Sequence, residues 1–142
     1  MSVKQLSVFA ENRNGTVYEV SKLLGEQAIN IRAFSVAETA SFGVLRLIVD
    51  DPRKAAAVLS NENKIVNVTD VVAASIPDRQ GGLSELLGVL YQHDVSVEYL
   101  YAFVAGTAGK AYVVLRVSDN AAVENLLAES GFSILTDADL TK

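Results

Sequence analysis

Glu11-Asn12-Arg13-Asn14-Gly15-Thr16-Val17-Tyr18-Glu19-Val20 is written twice in this chain. The second version is Pro77-Asp78-Arg79-Gln80-Gly81-Gly82-Leu83-Ser84-Glu85-Leu86. Each stretch is polar and carries glycine, and each runs directly into apolar residues at helical spacing. Each is followed by a similar triplet, Ile29-Asn30-Ile31 and Val95-Ser96-Val97. Arg13 matches Arg79, Gly15 matches Gly81 and Ile31 matches Val97, a constant step of 66 residues (79 − 13, 97 − 31). Further on the step lengthens slightly, pairing Asp51 with Asp119 and Leu59 with Leu127, as a hairpin loop of different length would do. Thr69-Asp70 and Thr136-Asp137 close the pattern. Two copies of a unit of about 70 residues are therefore expected, residues 1–70 and 71–142.

Periodicity inside each copy predicts the elements. Residues 4–10 put Leu6 and Val8 on one face, which is strand alternation. From Thr16 the spacing becomes helical through Val17, Val20, Leu23 and Leu24, and Thr16-x-x-Glu19 fits a capping box. Residues 29–38 and 44–49 read as strands joined by Thr39-Ala40-Ser41. Asp51-Pro52 starts a second helix, because aspartate suits the N-cap and proline the first helical position. Ile65, Val66 and Val68 supply the last strand. The second copy repeats this order. A strand runs over Val71–Ile76, and a helix stripe holds Leu83, Leu86, Leu87 and Leu90. A hairpin joins Val95–Val104 to Ala111–Val117 through Gly106 and Gly109. A helix capped by Ser118-Asp119-Asn120 ends at Gly131, and residues 132–136 form a final strand. The class is α+β: two tandem ferredoxin-like βαββαβ units, with antiparallel sheets and helices on one face. Tyr99-Leu100-Tyr101-Ala102-Phe103 is apolar on both faces, so the open sheet face is expected to be covered.

Composition narrows the function. Half of the residues are apolar and a fifth charged, as in a globular protein, and the net charge is −5. An acidic chain without a basic stripe is not drawn to nucleic acid or to anionic membranes. No apolar run approaches the roughly 20 residues of a membrane span, and the first residues are too short an apolar run for a signal peptide. A cytoplasmic location is expected. The chain has no cysteine and one histidine, which removes thiolate chemistry, disulfides and a two-His metal site, so no cofactor or metal is expected. His93 falls at a helix C-terminus, where a cation is favourable, and has no nucleophile or acid paired with it. Asp50-Asp51 and Asp137-x-Asp139 lack the further oxygen ligands a hard cation needs and read as caps or as solvated faces. No catalytic set is apparent, so no enzymatic activity is expected.

The doubled loop, the amphipathic helix behind it and the Ile29-Asn30-Ile31 and Val95-Ser96-Val97 triplets resemble the ACT domain, a small regulatory module that binds amino acids and related metabolites. The resemblance covers nearly the whole chain, twice, and implies a stand-alone tandem ACT protein. It implies a ligand held where one unit's loop faces the sheet of another. The expected ligand-binding residues are Asn12, Arg13, Asn14, Gly15, Thr16, Val17, Asn30 and Ile31 in the first copy. In the second they are Asp78, Arg79, Gln80, Gly81, Gly82, Leu83, Ser96 and Val97.

Elementary chemistry gives such a loop a use. A helix N-terminus presents unpaired N–H groups and the positive end of the dipole, which together receive an α-carboxylate. Glycine at 15, 81 and 82 would clear the approach. Asn12, Asn14, Asp78 and Gln80 could bond an α-ammonium, and Asn30 and Ser96 could turn polar atoms to the same pocket. The plainer reading is that Gly15 and Gly81 serve tight strand-to-helix turns. Arg13 and Arg79 are equally readable as carboxylate clamps or as solvated loop residues. The leading expectation is a non-catalytic regulatory protein that binds an amino acid and acts as a homodimer. The alternative is an interaction module that dimerises, or docks on a separate metabolic enzyme, without a ligand of its own.

Overall fold

A computed structural model describes residues 2–11, 15–38, 42–104 and 108–140. The expected site residues Asn12, Arg13 and Asn14, the loop 39–41 and Gly106 lie outside the described residues. Two compact units are present, one made of Lys4–Thr69 with Leu140, the other of Asp70–Asp139 with the residues up to Val3.

The first unit contains β1 (Val3–Glu11), α1 (Thr16–Glu26), β2 (Ile31–Glu38), β3 (Phe42–Val49), α2 (Pro52–Asn61) and the start of β4 (Ile65–Pro77). Its strand order is β2-β3-β1-β4, the split-βαβ arrangement. β1 runs antiparallel to β3 with Leu6 opposite Leu47 and Val8 opposite Leu45, so one face of the sheet is a block of aliphatic side chains. Val20 and Leu24 of α1 and Ala55 and Leu59 of α2 close over that face. Each leucine buried there contributes about 1.5–3 kcal/mol of transfer free energy.

The second unit uses the remainder of β4, then α3 (Gly82–Gln92), β5 (Tyr99–Val104), β6 (Lys110–Arg116), α4 (Asn120–Glu129), β7 (Ser133–Ile134) and α5 (Asp137–Leu140). The order β7-β4-β6-β5 repeats that of the first unit. Val72, Ala74 and Ile76 of β4 and Val113 and Leu115 of β6 pack beneath Leu86 and Leu90 of α3 and Val123 and Leu127 of α4. The second face is covered as well, since Val71, Ala73 and Val114 are all buried.

Four expectations need correction. Thr16 is not an N-cap: Gly15 is, in the left-handed region, so Thr16 is the first helical residue and Thr16-x-x-Glu19 is out of register for a capping box. Glu19 instead pairs with Lys64 Nζ at 2.8 Å. At Thr136 the backbone N–H and Oγ1 both donate to Asp139 Oδ2, at 2.8 and 3.0 Å. Next, Val95, Ser96 and Val97 are not strand: β5 begins at Tyr99. The helix before them ends on His93, whose Nδ1 lies 2.9 Å from Val89 O, and the chain leaves through Asp94 at φ 56°. The expected last strand, 132–136, is only two residues long before the chain turns into α5, a single turn absent from the sequence reading. Last, the α3 stripe divides: Leu86 and Leu90 are fully buried, whereas Leu83 is exposed and Leu87 only half-buried.

Candidate functional site

The four long helices start in two different ways. At α2, Asp51 is the N-cap and its carboxylate accepts from Lys54 N at 3.1 Å, with Pro52 in the first turn. At α4, Asp119 does the same for Ala122 N at 3.1 Å. Each of these helices thus satisfies one of its own first-turn donors. At α1 and α3 the N-caps are Gly15 (φ 90°) and Gly81 (φ 81°), which have no side chain with which to cap. Glycine is favoured at both positions because the left-handed region is costly for other L-residues. A Cβ at either would meet no described atom within 4 Å.

Gly82 has another cause. A Cβ there would collide with the Pro77 carbonyl, so this glycine permits the close passage of two backbone segments and does not clear a path for a ligand. Around it the loop uses up several donors internally. Asp78 N donates to Gly109 O at 2.9 Å, Arg79 N to Pro77 O at 3.0 Å and Gly82 N to Arg79 O at 3.0 Å. The amides of Leu83 and Ser84 have no partner among the described residues. The Arg79 fork is engaged, with Nη2 2.6 Å from Glu85 Oε1 and Nη1 donating to Gln80 O at 3.2 Å. Both side chains are half-exposed, so this pair is worth at most about 1 kcal/mol and can be exchanged for a ligand carboxylate.

In the second unit Arg79, Gly81 and Leu83 share an open groove of about 600 Å³ with Ser84, Leu87, Gly88 and Tyr91 of α3. Asp78, Gln80, Ser96 and Val97 are not among its lining residues. In the first unit Val17 and Ile31 line a crevice of about 260 Å³ with Val20, Ser21, Phe34, Leu45 and Leu47. Asn30 lies elsewhere: its N–H donates to Asp50 Oδ1 at 3.0 Å and its carbonyl accepts from Asp50 N at 3.2 Å, which ties the start of β2 to the end of β3. Asp50 and Asp51 are thus a strand tie and a helix cap. No metal-binding group of acidic or histidine side chains occurs among the described residues.

Sequence reasoning missed the outer helix positions. Ser84, Leu87, Gly88 and Tyr91 follow Leu83 at helical spacing along one flank, a signal that was legible once the stripe was split into two. Ser21 and Phe34 gave no such signal, because a serine on a helix and a phenylalanine on a strand are ordinary.

The family pattern of the ACT domain pair matches residues 1–142, and the chain belongs to that family. Among solved structures it is similar to the protein BT0572 from Bacteroides thetaiotaomicron, with a TM-score of 0.92 and 41% identity over 100% of this chain and 97% of that one. It shares its fold with the ligand-free regulatory subunit of aspartate kinase from Thermus thermophilus (TM-score 0.67, 12% identity, 92% and 93% covered). The same holds for the corresponding subunit from Thermus flavus (TM-score 0.63, 11% identity, 92% and 93% covered). The search of curated proteins finds no match. Among the described residues no helix is long and apolar enough to cross a membrane.

Proposed function

We propose that the chain is a non-catalytic regulatory protein that binds a free amino acid, or a metabolite of like shape, at the loops preceding α1 and α3. Occupancy biases a conformational or oligomeric equilibrium by the ligand's differential affinity for the two states. The observation that carries this reading is the contrast in helix starts. Aspartate side chains cap α2 and α4, whereas the N-caps of α1 and α3 are glycines with no side chain to do so, and at α3 the Leu83 and Ser84 amides have no partner among the described residues. An α-carboxylate is the natural guest of such an end. Membership of the ACT domain pair family supports the reading, as do structural neighbours named as regulatory subunits. The family resemblance implies a ligand where two such units meet, and we propose a homodimer as the working form.

Calorimetry or thermal unfolding with each standard amino acid tests this. Near a hundredfold excess over Kd, a ligand adds about 2.7 kcal/mol of stability. That moves Tm by several degrees in a domain of this size. Flat responses to every amino acid at millimolar concentration, from a folded protein, overturn the reading. A second reading, a ligand-independent interaction module, is favoured by the exposed Tyr91 of α3, and a dimer whose dissociation constant no amino acid alters would support it.

A further inference from the structure

The two units differ at one spot on their leading helices. Ser21 of α1 stands where Leu87 stands in α3, and Phe34 of β2 where Leu100 stands in β5, at the same 66-residue step (87 − 21, 100 − 34). The registers agree, since Phe34 lies opposite Leu47 on β3 and Leu100 opposite Leu115 on β6. In the second unit Leu87 and Leu100 both pack against the core. In the first, a hydroxymethyl group replaces the isobutyl group. Phe34 is left 64% exposed, and the apolar crevice walled by Val17, Val20, Ile31, Leu45 and Leu47 opens beside it. The Ser21 hydroxyl donates to Tyr18 O at 2.9 Å, so its proton is already engaged and the remaining walls are hydrocarbon.

We infer that this crevice is the side-chain pocket of the ligand site in the first unit. It takes a branched aliphatic group of leucine size, the group that the second unit supplies from its own Leu87. Val17, on the first turn of α1, lines the crevice, so an amino acid whose carboxylate meets that helix end directs its side chain toward Phe34. The head group rests on the reading proposed above; the tail rests on the crevice alone. The second unit, with its position filled, is not a site of the same selectivity, so the two loops are unequal.

The test compares L-leucine, L-isoleucine and L-valine with L-serine, L-aspartate and L-arginine, on the natural chain and on Ser21→Leu. The aliphatic amino acids are expected to bind at least tenfold tighter than the polar ones. Ser21→Leu is expected to raise the Tm of the unliganded chain and to weaken leucine binding at least tenfold. A second probe, 3-methylbutan-1-ol, carries the tail without the zwitterion and is followed by the NMR shift of the Phe34 amide. Amino acids bound without aliphatic preference, or leucine bound equally by Ser21→Leu, overturn the pocket and leave the loop reading intact. Response to the alcohol alone, lost in Ser21→Leu, upholds the pocket and sinks the amino-acid reading. Response to neither probe overturns both. The selectivity series needs no variant, so a poorly folding Ser21→Leu does not shield the inference.

Discussion

α1 and α3 begin with the same glycine in the same left-handed conformation, yet their neighbourhoods are opposites. Behind Gly81, Gly82 passes against the Pro77 carbonyl, Arg79 is held by Glu85, and Leu87 packs on the core at the edge of an open groove. Behind Gly15 stands Thr16, a buried residue with a side chain at the position where the second unit accepts none, and Ser21 leaves the flank of α1 open. Repetition of a loop therefore conserves its conformation and not its surroundings. A turn is fixed by a few backbone angles, while a pocket depends on side chains a full turn away and on another strand.

The comparison can be broken most forcefully at the first helical residue. Gly82→Thr is expected to cost about 2–3 kcal/mol through the forced shift of the Pro77 segment. The mirror change, Thr16→Gly, should cost under about 1 kcal/mol, measured by denaturant unfolding. Equal effects would mean that the two loops are packed alike. At the N-caps the units should agree: Gly15→Ala and Gly81→Ala each meet no atom and should each cost about 1 kcal/mol, from backbone strain alone. The helix ends sharpen the point further. The four long helices leave through a left-handed residue, Ala28, Asn63, Asp94 and Gly131, and only the last is glycine. Ala28→Gly is expected to stabilise the chain by about 0.5–1 kcal/mol, and Gly131→Ala to destabilise it by a similar amount. The smallest stability effect belongs to Arg79→Ala, below about 0.5 kcal/mol because its ion pair is half-exposed. Its diagnostic readout is amino-acid affinity at the α3 loop, which should fall, whereas a purely solvated arginine would leave it unchanged.

Much of the architecture was legible because it rests on short-range rules. Alternation in 4–10, helical spacing from Thr16 and from Leu83, and Asp51-Pro52 and Asp119 as N-caps each state a local preference that the fold keeps. The errors fall where a local preference met a competing one. Thr16-x-x-Glu19 has the composition of a capping box, but the glycine one residue earlier holds the left-handed angle and takes the N-cap. Val95-Ser96-Val97 alternates like a strand, but pairing starts only at Tyr99, opposite Arg116. Asp137-x-Asp139 was ambiguous in isolation, and the Thr136 hydrogen bonds to Asp139 belong to a turn too short to have a period.

By itself, the order of amino acids determined the duplication, the class of each unit and the two places where aspartate starts a helix. These depend on spacings of a few residues, and the step of 66 carries them from one copy to the other. Only the tertiary structure decided that Gly82 answers to a carbonyl five positions earlier, and that a serine opposite a phenylalanine opens a crevice where the other copy is filled. Such facts are set by which atoms come within van der Waals reach once α1 lies on β2 and β3. Distance along the chain does not report that quantity.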